Sequence, residues 1–337
     1  MARLTIADLQ ARREVQPPAA DKPSIKVGMS TCGVAAGAEP VFAALVSESK
    51  DRAVDWRISR TGCAGMCSME PLVEVTLPGE RAVMFGEVTP DFARRLIADC
   101  ATGKPLPKEQ RVPGIADLAR VAGDPTGEKG GPTQYRIVMR NCGVIDPEEI
   151  DEYVDRGGYQ GLAKVLSSMP PEQVVEELKV AGLRGRGGAG FPVWLKWNLT
   201  RESEGDEHLI VCNGDEGDPG AYMDRSVLEG DPHAVLEGMI IGGYTIGAKQ
   251  GFFYIRAEYP LAIQRIEKAI RQAKASGLLG TNILGTDYSF NVEVRLGAGA
   301  FVCGEETALI ASSKDDAAPP RLDRRTHRSR VCGASPP

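Results

Sequence analysis

A chain of 337 residues with 42% hydrophobic and 26% charged side chains is long enough for two domains, each with its own core. Its formal net charge of -6 gives no electrostatic footprint for nucleic acid. Its eight cysteines are scattered, unlike a small secreted disulfide framework, and no window reaches the ~20 apolar residues of a membrane span. A cytoplasmic protein without direct membrane insertion is expected.

In chain order, residues 1–23 hold a short amphipathic helix in MARLTIADLQARREV, where charges interrupt the apolar run a secretory signal needs, and then the linker PPAADKP. Residues 24–100 alternate strand and helix. SIKVGMS reads as a strand, AGAEPVFAALVSESK as a helix, and AVDWRISR as a strand. The TGCAGMC loop follows, then strands in PLVEVTL and RAVMFGEV and the helix TPDFARRLIADC. The order β, α, β, β, β, α is compatible with a thioredoxin-like α/β fold.

Residues 101–133 turn to Gly, Pro and charge and read as a connector, with one short helical pattern at IADLARVA. A larger α/β region spans 134–312. IDPEEIDEYVDRGG and PPEQVVEELKVAG open with Asp or Pro and acids in the first turn, as the helix dipole favours. HLIVCNGDEG is an apolar strand entering a polar loop, DPHAVLEGMIIGGYTIGA a mostly apolar helix, and GFFYIRAEY a further strand. PLAIQRIEKAIRQAKASG is an amphipathic helix stopped at glycine, and NVEVRLGAG is a strand feeding FVCGEETALI. This alternation predicts a Rossmann-like, largely parallel sheet with ligand-binding loops at one edge. Residues 313–337 show neither periodicity and read as a disordered tail.

Three loops carry candidate chemistry. In LRGRGGAGFPVWLK the glycines let backbone N–H groups approach an anion, and a helix start behind them adds its positive dipole end. Taken alone GxGGxG is weak, because it follows a helix rather than a strand, and a merely tight turn is the competing reading. NGDEGDPGAYMDR places Asn213, Asp215, Glu216 and Asp218 after an apolar strand, a set suited to ribityl or ribose hydroxyls. GAGAFVCGEETALI sets Gly304, Glu305 and Glu306 at a helix start, where capping is the structural alternative. Cys63 and Cys67 are the one closely spaced cysteine pair.

The segments LRGRGGAGFP, CNGDEGDPGAYMDR, YIRAEYP and GAGAFVCGEETAL together resemble the flavin-containing NADH-oxidising subunit of respiratory complex I. They resemble still more its relatives in NAD(P)-linked hydrogenases and formate dehydrogenases. The likeness covers roughly Arg136 to Ser312. It implies FMN and NAD(H) in one cavity, hydride transfer from nicotinamide to FMN, and single-electron relay to the iron–sulfur subunits of a multisubunit oxidoreductase. It assigns Gly185, Arg186, Gly187, Gly188, Ala189 and Gly190 to the phosphate loop, Phe191 to stacking on adenine, and Lys196 nearby. It gives Asn213, Asp215 and Glu216 to FMN and Asp218 to NADH. Phe301, Gly304 and Glu305 line the flavin and Glu306 the nucleotide. Asp218 stands where a longer Glu is usual, Phe301 where Tyr is usual, and Trp194 where a small residue is usual. The choice between NADH and NADPH stays open. No catalytic acid or base is required, since hydride transfer is the cofactors' chemistry. His208, His233 and His327 are expected in surface or capping roles, and Cys142, Cys212 and Cys303 as buried structural thiols.

The N-terminal region resembles a thioredoxin-like [2Fe-2S] ferredoxin domain, whose pattern is C-x4-C followed by C-x3-C. Cys32, Cys63 and Cys67 match, but Val27 stands at the first position, and Cys100 is a distant candidate for a fourth ligand. Either the domain borrows a ligand or it is a docking module. At the other end, reading the last base of each codon with the first two of the next turns LDRRTHRSRVCGASPP into RPPYPSESGLWGKPT, which resembles the family's continuation after GEETALI. A frameshift near residue 312 is therefore expected, with the family's [4Fe-4S] cysteines confined to a full-length parent. The alternative function is a non-catalytic truncated fragment or docking module that binds partner subunits.

Overall fold

The structure is a computed structural model that describes residues 3–13, 22–115, 119–121, 134–205, 207–297, 309–310 and 331–334. Backbone contacts divide the chain into two units. The smaller comprises residues 16–152 with 229–231, and the larger residues 1–15, 153–228 and 232–337.

In the smaller unit, β1 (Ser24–Gly28) buries Ile25 and Val27 and leaves Ser24 and Lys26 half-exposed, the period-two pattern of a strand with one face on a core. It pairs parallel with β2 (Arg57–Thr61) and antiparallel with β3 (Val73–Thr76). The antiparallel ladder continues through β4 (Val83–Phe85) to β5 (Arg111–Val112), in the order β2-β1-β3-β4-β5. Between β1 and β2 lie α2 (Thr31–Ala35), which the sequence pattern does not predict, and α3 (Ala38–Asp51). After β4 comes α4 (Pro90–Ala101), which starts where the Thr89 hydroxyl accepts the Phe92 N–H at 3.2 Å and Pro90 needs no donor partner. Ile25, Val27, Val73 and Val75 meet Val41 and Leu45 of α3 and Phe92, Leu96 and Ile97 of α4 in one apolar cluster. Each such side chain contributes roughly 1.5–3 kcal/mol by leaving water.

The stretch expected as a connector, residues 101–133, carries a sheet strand, β5, and β6 (Ala119–Val121), which pairs parallel with β7 (Gln134–Arg136) just beyond it. Ile115 is helical, but Ala119–Val121 are extended, so the helical pattern at IADLARVA does not continue. The smaller unit also runs on to Glu152, past the expected boundary at residue 134. The physical reason is long-range pairing: two- and three-residue strands have no periodicity to detect, and distant partners define them.

The larger unit is built on a parallel sheet in the order β10-β9-β8-β11. Its strands are β8 (Leu209–Gly214), β9 (Gln250–Arg256), β10 (Asn291–Gly297) and β11 (Val331–Ala334). LIVC and FFYI are the near-continuous apolar runs that strands covered on both faces require. The helix α10 (Pro232–Ile246) buries most of its residues, whereas α11 (Pro260–Ala275) buries a stripe of Ala262, Ile266, Ala269, Ile270 and Ala273. β11 lies inside the stretch expected to be a disordered tail. Val331 to Ala334 pair with Leu209 to Cys212, because the open edge of β8 offers unpaired backbone groups to any extended segment.

Two buried polar groups of this unit are hydrogen-bonded within it. The Glu237 carboxylate accepts from the Tyr153 hydroxyl at 2.6 Å and from the backbone N–H groups of Tyr159 at 2.7 Å and Leu162 at 3.0 Å. His233, expected at the surface or a cap, is instead buried, its Nδ1 2.8 Å from the Tyr159 hydroxyl and its Nε2 3.1 Å from Gln272 Oε1. Burial pushes its pKa down to about 4, so it is a neutral packing residue. Cys142 and Cys212 are buried thiols as expected. Cys303 and His327 lie outside the described residues. Among the described residues no helix is long and apolar enough to cross a membrane.

Candidate functional site

The glycine loop lies between α7 (Pro171–Ala181) and α8 (Val193–Arg201), with helix on both sides as the sequence implies. It is a closed hairpin. The Gly185 N–H donates to Phe191 O at 2.9 Å, the Val193 N–H to Leu183 O at 3.1 Å, and the Arg184 guanidinium to Gly190 O at 2.9 Å. Gly188 has φ +98° and Gly190 φ +61°, left-handed values that favour glycine. A Cβ at Gly188 would meet nothing within 4 Å, so its glycine serves backbone conformation rather than close packing. Arg186, Gly187, Gly188 and Ala189 are exposed, Phe191 is 47% exposed, and Lys196 is half-buried on α8. The loop thus presents main chain and one aromatic ring to solvent.

The second loop leaves the C-terminal end of β8, the sheet edge where parallel α/β folds bind ligands. Asn213 Oδ1 accepts the Asp215 N–H at 3.0 Å and turns the chain. Asp215 is 6% exposed, and neither carboxylate oxygen has a hydrogen-bond partner. Its Oδ1 is 3.9 Å from Arg256 Nε, which also lacks a hydrogen-bond partner. Burial pushes the Asp215 carboxyl above its ordinary value, and Arg256 partly opposes that. A Cβ on Gly297, the last residue of β10, would lie 3.3 Å from Asp215 Oδ2. The ends of β8, β9 and β10 therefore converge on this carboxylate.

Glu216 has partners within the chain. Its carboxylate accepts the N–H groups of Met223 at 2.8 Å, Asp224 at 3.2 Å and Arg225 at 3.3 Å, the first turn of α9 (Met223–Gly230). Arg256 donates to the Glu216 carbonyl at 2.7 Å and to Glu258 at 3.0 Å. Glu216 and Arg256 together hold the β8 loop in shape. Asp218 is exposed, and its carbonyl accepts the Ala221 N–H at 3.1 Å. Beside it Arg225 lies 4.2 Å from the Tyr222 ring centroid, and Tyr222 is half-exposed. Phe301, Gly304, Glu305 and Glu306 lie outside the described residues. Sequence reasoning missed Arg256; its signal was a cation at the end of the apolar run FFYIR, within YIRAEYP.

The smaller unit holds the other candidate. The sulfurs of Cys32, Cys63 and Cys67 all lie within 4.8 Å of one another, with Cys63 and Cys67 3.6 Å apart. α2 carries Cys32, and the turn after β2 carries the pair, with the Gly65 N–H donating to Cys63 Sγ at 3.2 Å. Burial pushes the Cys63 and Cys67 thiols up, and the neighbouring Glu70 carboxylate adds to both shifts. Glu70 itself is buried, with its carboxyl pushed up to about 7. Cys100 packs against the apolar cluster behind β1, and burial pushes its thiol up to about 11. Val27, at the position of the fourth expected cysteine, sits in that same cluster. Three thiols converge among the described residues; four are needed to fill an all-cysteine two-iron site.

Comparison with known proteins locates the similarity. Residues 178–330 match the family described as the Nuo51 FMN-binding domain, a stretch that continues past Ser312. The HndC component of an NADP-reducing hydrogenase from Solidesulfovibrio fructosivorans is 61% identical over 179 residues, 53% of this chain and 36% of that protein. One subunit of the NADH-quinone oxidoreductase of Escherichia coli (strain K12) is 44% identical over 191 residues, 56% of this chain and 43% of that protein. A crystal structure of an air-oxidised NAD+-reducing [NiFe]-hydrogenase aligns at 24% identity and a TM-score of 0.46, over 98% of this chain and 53% of that one. The chain spans less than half the length of the two curated relatives it matches here.

Proposed function

We propose that this chain, related through residues 178–330 to the Nuo51 FMN-binding domain, is the nicotinamide-oxidising flavoprotein subunit of a multisubunit cytoplasmic oxidoreductase. FMN, when bound, supplies the conversion of a two-electron hydride into single electrons for iron–sulfur partners. The protein supplies position and electrostatics.

The observation that carries this reading is Asp215: a buried carboxylate with two unmatched oxygens, at the sheet edge where parallel α/β folds take ligands. Acceptor-only oxygens in such a place call for O–H or N–H donors, which a ribityl chain and an isoalloxazine imide provide. The orphaned Nε–H of Arg256 beside it suits an acceptor on the same ligand. Glu216 and Asn213 position the loop, and Gly297 leaves room where a side chain would crowd Asp215. The exposed backbone of Arg186–Ala189 and the Phe191 ring suit a pyrophosphate and a nucleobase. The smaller unit, with its β2-β1-β3-β4 sheet and clustered thiols, is read as a thioredoxin-like iron–sulfur module that receives or passes electrons. The partner subunits are those of a hydrogenase, formate dehydrogenase or complex I-like assembly.

Titration of the full chain with FMN, followed by quenching of flavin fluorescence, tests the assignment. Asp215→Asn removes the charged acceptor and is expected to weaken FMN by about 10- to 100-fold, as loss of hydrogen bonds to a charged group implies. Equal affinity in the variant, or no binding by the unaltered chain, would overturn it.

A further inference from the structure

We propose that Cys63 and Cys67 form a reversible dithiol–disulfide pair, a redox switch that sets whether the thiols of the smaller unit are available to metal. This goes beyond the reading of that unit as an iron–sulfur module and concerns the same sulfurs without metal.

The three clustered thiols are one short of an all-cysteine two-iron site. Two of them already touch. Cys63 Sγ and Cys67 Sγ are 3.6 Å apart across residues 64–66. A disulfide bond of about 2.05 Å asks them to close by about 1.5 Å, and a rotation of about 30° at each χ1 covers that gap. The loop between them is braced. Gly65 takes φ +86°, its N–H donates to Cys63 Sγ at 3.2 Å, and Arg136 Nη2 donates to the Ala64 carbonyl at 2.7 Å.

The surroundings give the two sulfurs different parts. Cys67 is exposed and Cys63 is 3% exposed, so a reagent from solvent meets Cys67 first and Cys63 resolves the product from behind. Cys32 is close to both but is held on a turn of its own. The N–H and hydroxyl of Thr31 donate to the buried Glu229 carboxylate at 2.9 and 2.5 Å. The Glu70 carboxylate fills the space over Gly28 and Gly33, where a Cβ would come within 3.1 Å of its oxygens. Cys142 is fully buried, and Cys100 packs against the apolar cluster, so neither competes.

The oxidant is a low-molecular-weight disulfide, R–S–S–R. The Cys67 thiolate attacks one of its sulfurs, the reagent's S–S bond breaks, and one R–S⁻ leaves as a mixed disulfide forms on Cys67. The Cys63 thiolate then attacks Cys67 Sγ and expels the second R–S⁻. Two electrons pass from the protein sulfurs to the reagent, the two thiol protons end on two R–SH, and a dithiol reductant reverses the sequence. The bond takes two of the three converging thiols out of use as metal ligands.

The test incubates the full chain with oxidised glutathione, quenches it in acid, alkylates it under denaturing conditions and maps the peptides by mass. The expected result is a loss of two alkylatable thiols, restored by dithiothreitol, with one cross-linked peptide joining Cys63 to Cys67. Cys67→Ser, at an exposed position, is expected to lose that cross-link, and Cys32→Ser to keep it. A cross-link through Cys32 in the unaltered chain, or no loss of alkylatable thiols there, would overturn the proposal. A second arm adds iron and sulfide anaerobically to the reduced and to the oxidised chain. Iron and acid-labile sulfide retained by the reduced chain alone would uphold the switch, and equal retention by both would overturn it. Iron held by neither, with the Cys63–Cys67 cross-link present, would uphold the pair and overturn the iron–sulfur reading.

Discussion

Replacing Arg256 by methionine keeps most of the side-chain stem and removes the charge beside Asp215. The two groups are 3.9 Å apart, with side chains 19% and 1% exposed. At an effective dielectric near 20 their attraction is about 4 kcal/mol, and the partial exposure of Arg256 lowers the net cost of removing it to about 2–3 kcal/mol. Part of that cost is the lost hydrogen bonds to Glu216 and Glu258. The rest is the orphaned Asp215 charge, and Asp215→Asn in the same chain should recover it, giving a coupling of about 1–2 kcal/mol in a double-mutant cycle. Two units make a single global unfolding energy ill-defined, so native-state hydrogen exchange of the β8 and β9 amides is the suitable assay. The sign with pH is fixed. Burial raises the Asp215 carboxyl in the folded state, and loss of Arg256 raises it further, so the ionised form is penalised above that pKa. The deficit of Arg256→Met must shrink as pH falls and the carboxyl protonates. A deficit independent of pH and additive with Asp215→Asn would refute the reasoning.

Three further outcomes are expected. His233 is neutral in the fold, with its pKa pushed from 6.5 to about 4, so stability of the larger unit is fully present above pH 6.5 and falls by about 3 kcal/mol as pH drops towards 4. Denaturant midpoints across that window check it, and His233→Gln should flatten the dependence. Glu216→Ala removes an acceptor for three N–H groups of α9 and should cost about 1–2 kcal/mol, with Glu216→Gln intermediate; faster exchange of the Met223 to Arg225 amides is the readout. Gly188→Ala meets no steric obstacle but forces alanine to φ +98°, so it should cost about 1–2 kcal/mol in loop stability and weaken NADH, with FMN affinity unchanged in the same titration.

Much of this was readable in the residues, for physical reasons that differ by element. Runs such as HLIVCNG, GFFYIR and NVEVRLG declare strands because their burial is local and continuous, and PLAIQRIEKAIRQAKA declares its helix by a periodic apolar face. The resemblance to a thioredoxin-like ferredoxin domain named Cys32, Cys63 and Cys67, and the fold brings their sulfurs within 4.8 Å of one another. What escaped depends on distant partners. β5, β6 and β11 are short strands set by the edges they join, and the division at Glu152 is a matter of long-range contacts. That the Glu216 carboxylate accepts three N–H groups at the start of α9 is legible only in the fold. Glu70 carried no signal in sequence, because a glutamate before proline is unremarked until its oxygen is found buried against two glycines.

The proposed function has this chain take hydride from a nicotinamide onto bound FMN. Anaerobic addition of NADH, and separately NADPH, to the FMN-loaded full chain tests it directly, with the flavin's visible absorbance as readout. The account predicts bleaching by at least one of the two nucleotides, slowed in Asp215→Asn at equal FMN occupancy. Bound flavin that neither nucleotide bleaches would contradict it.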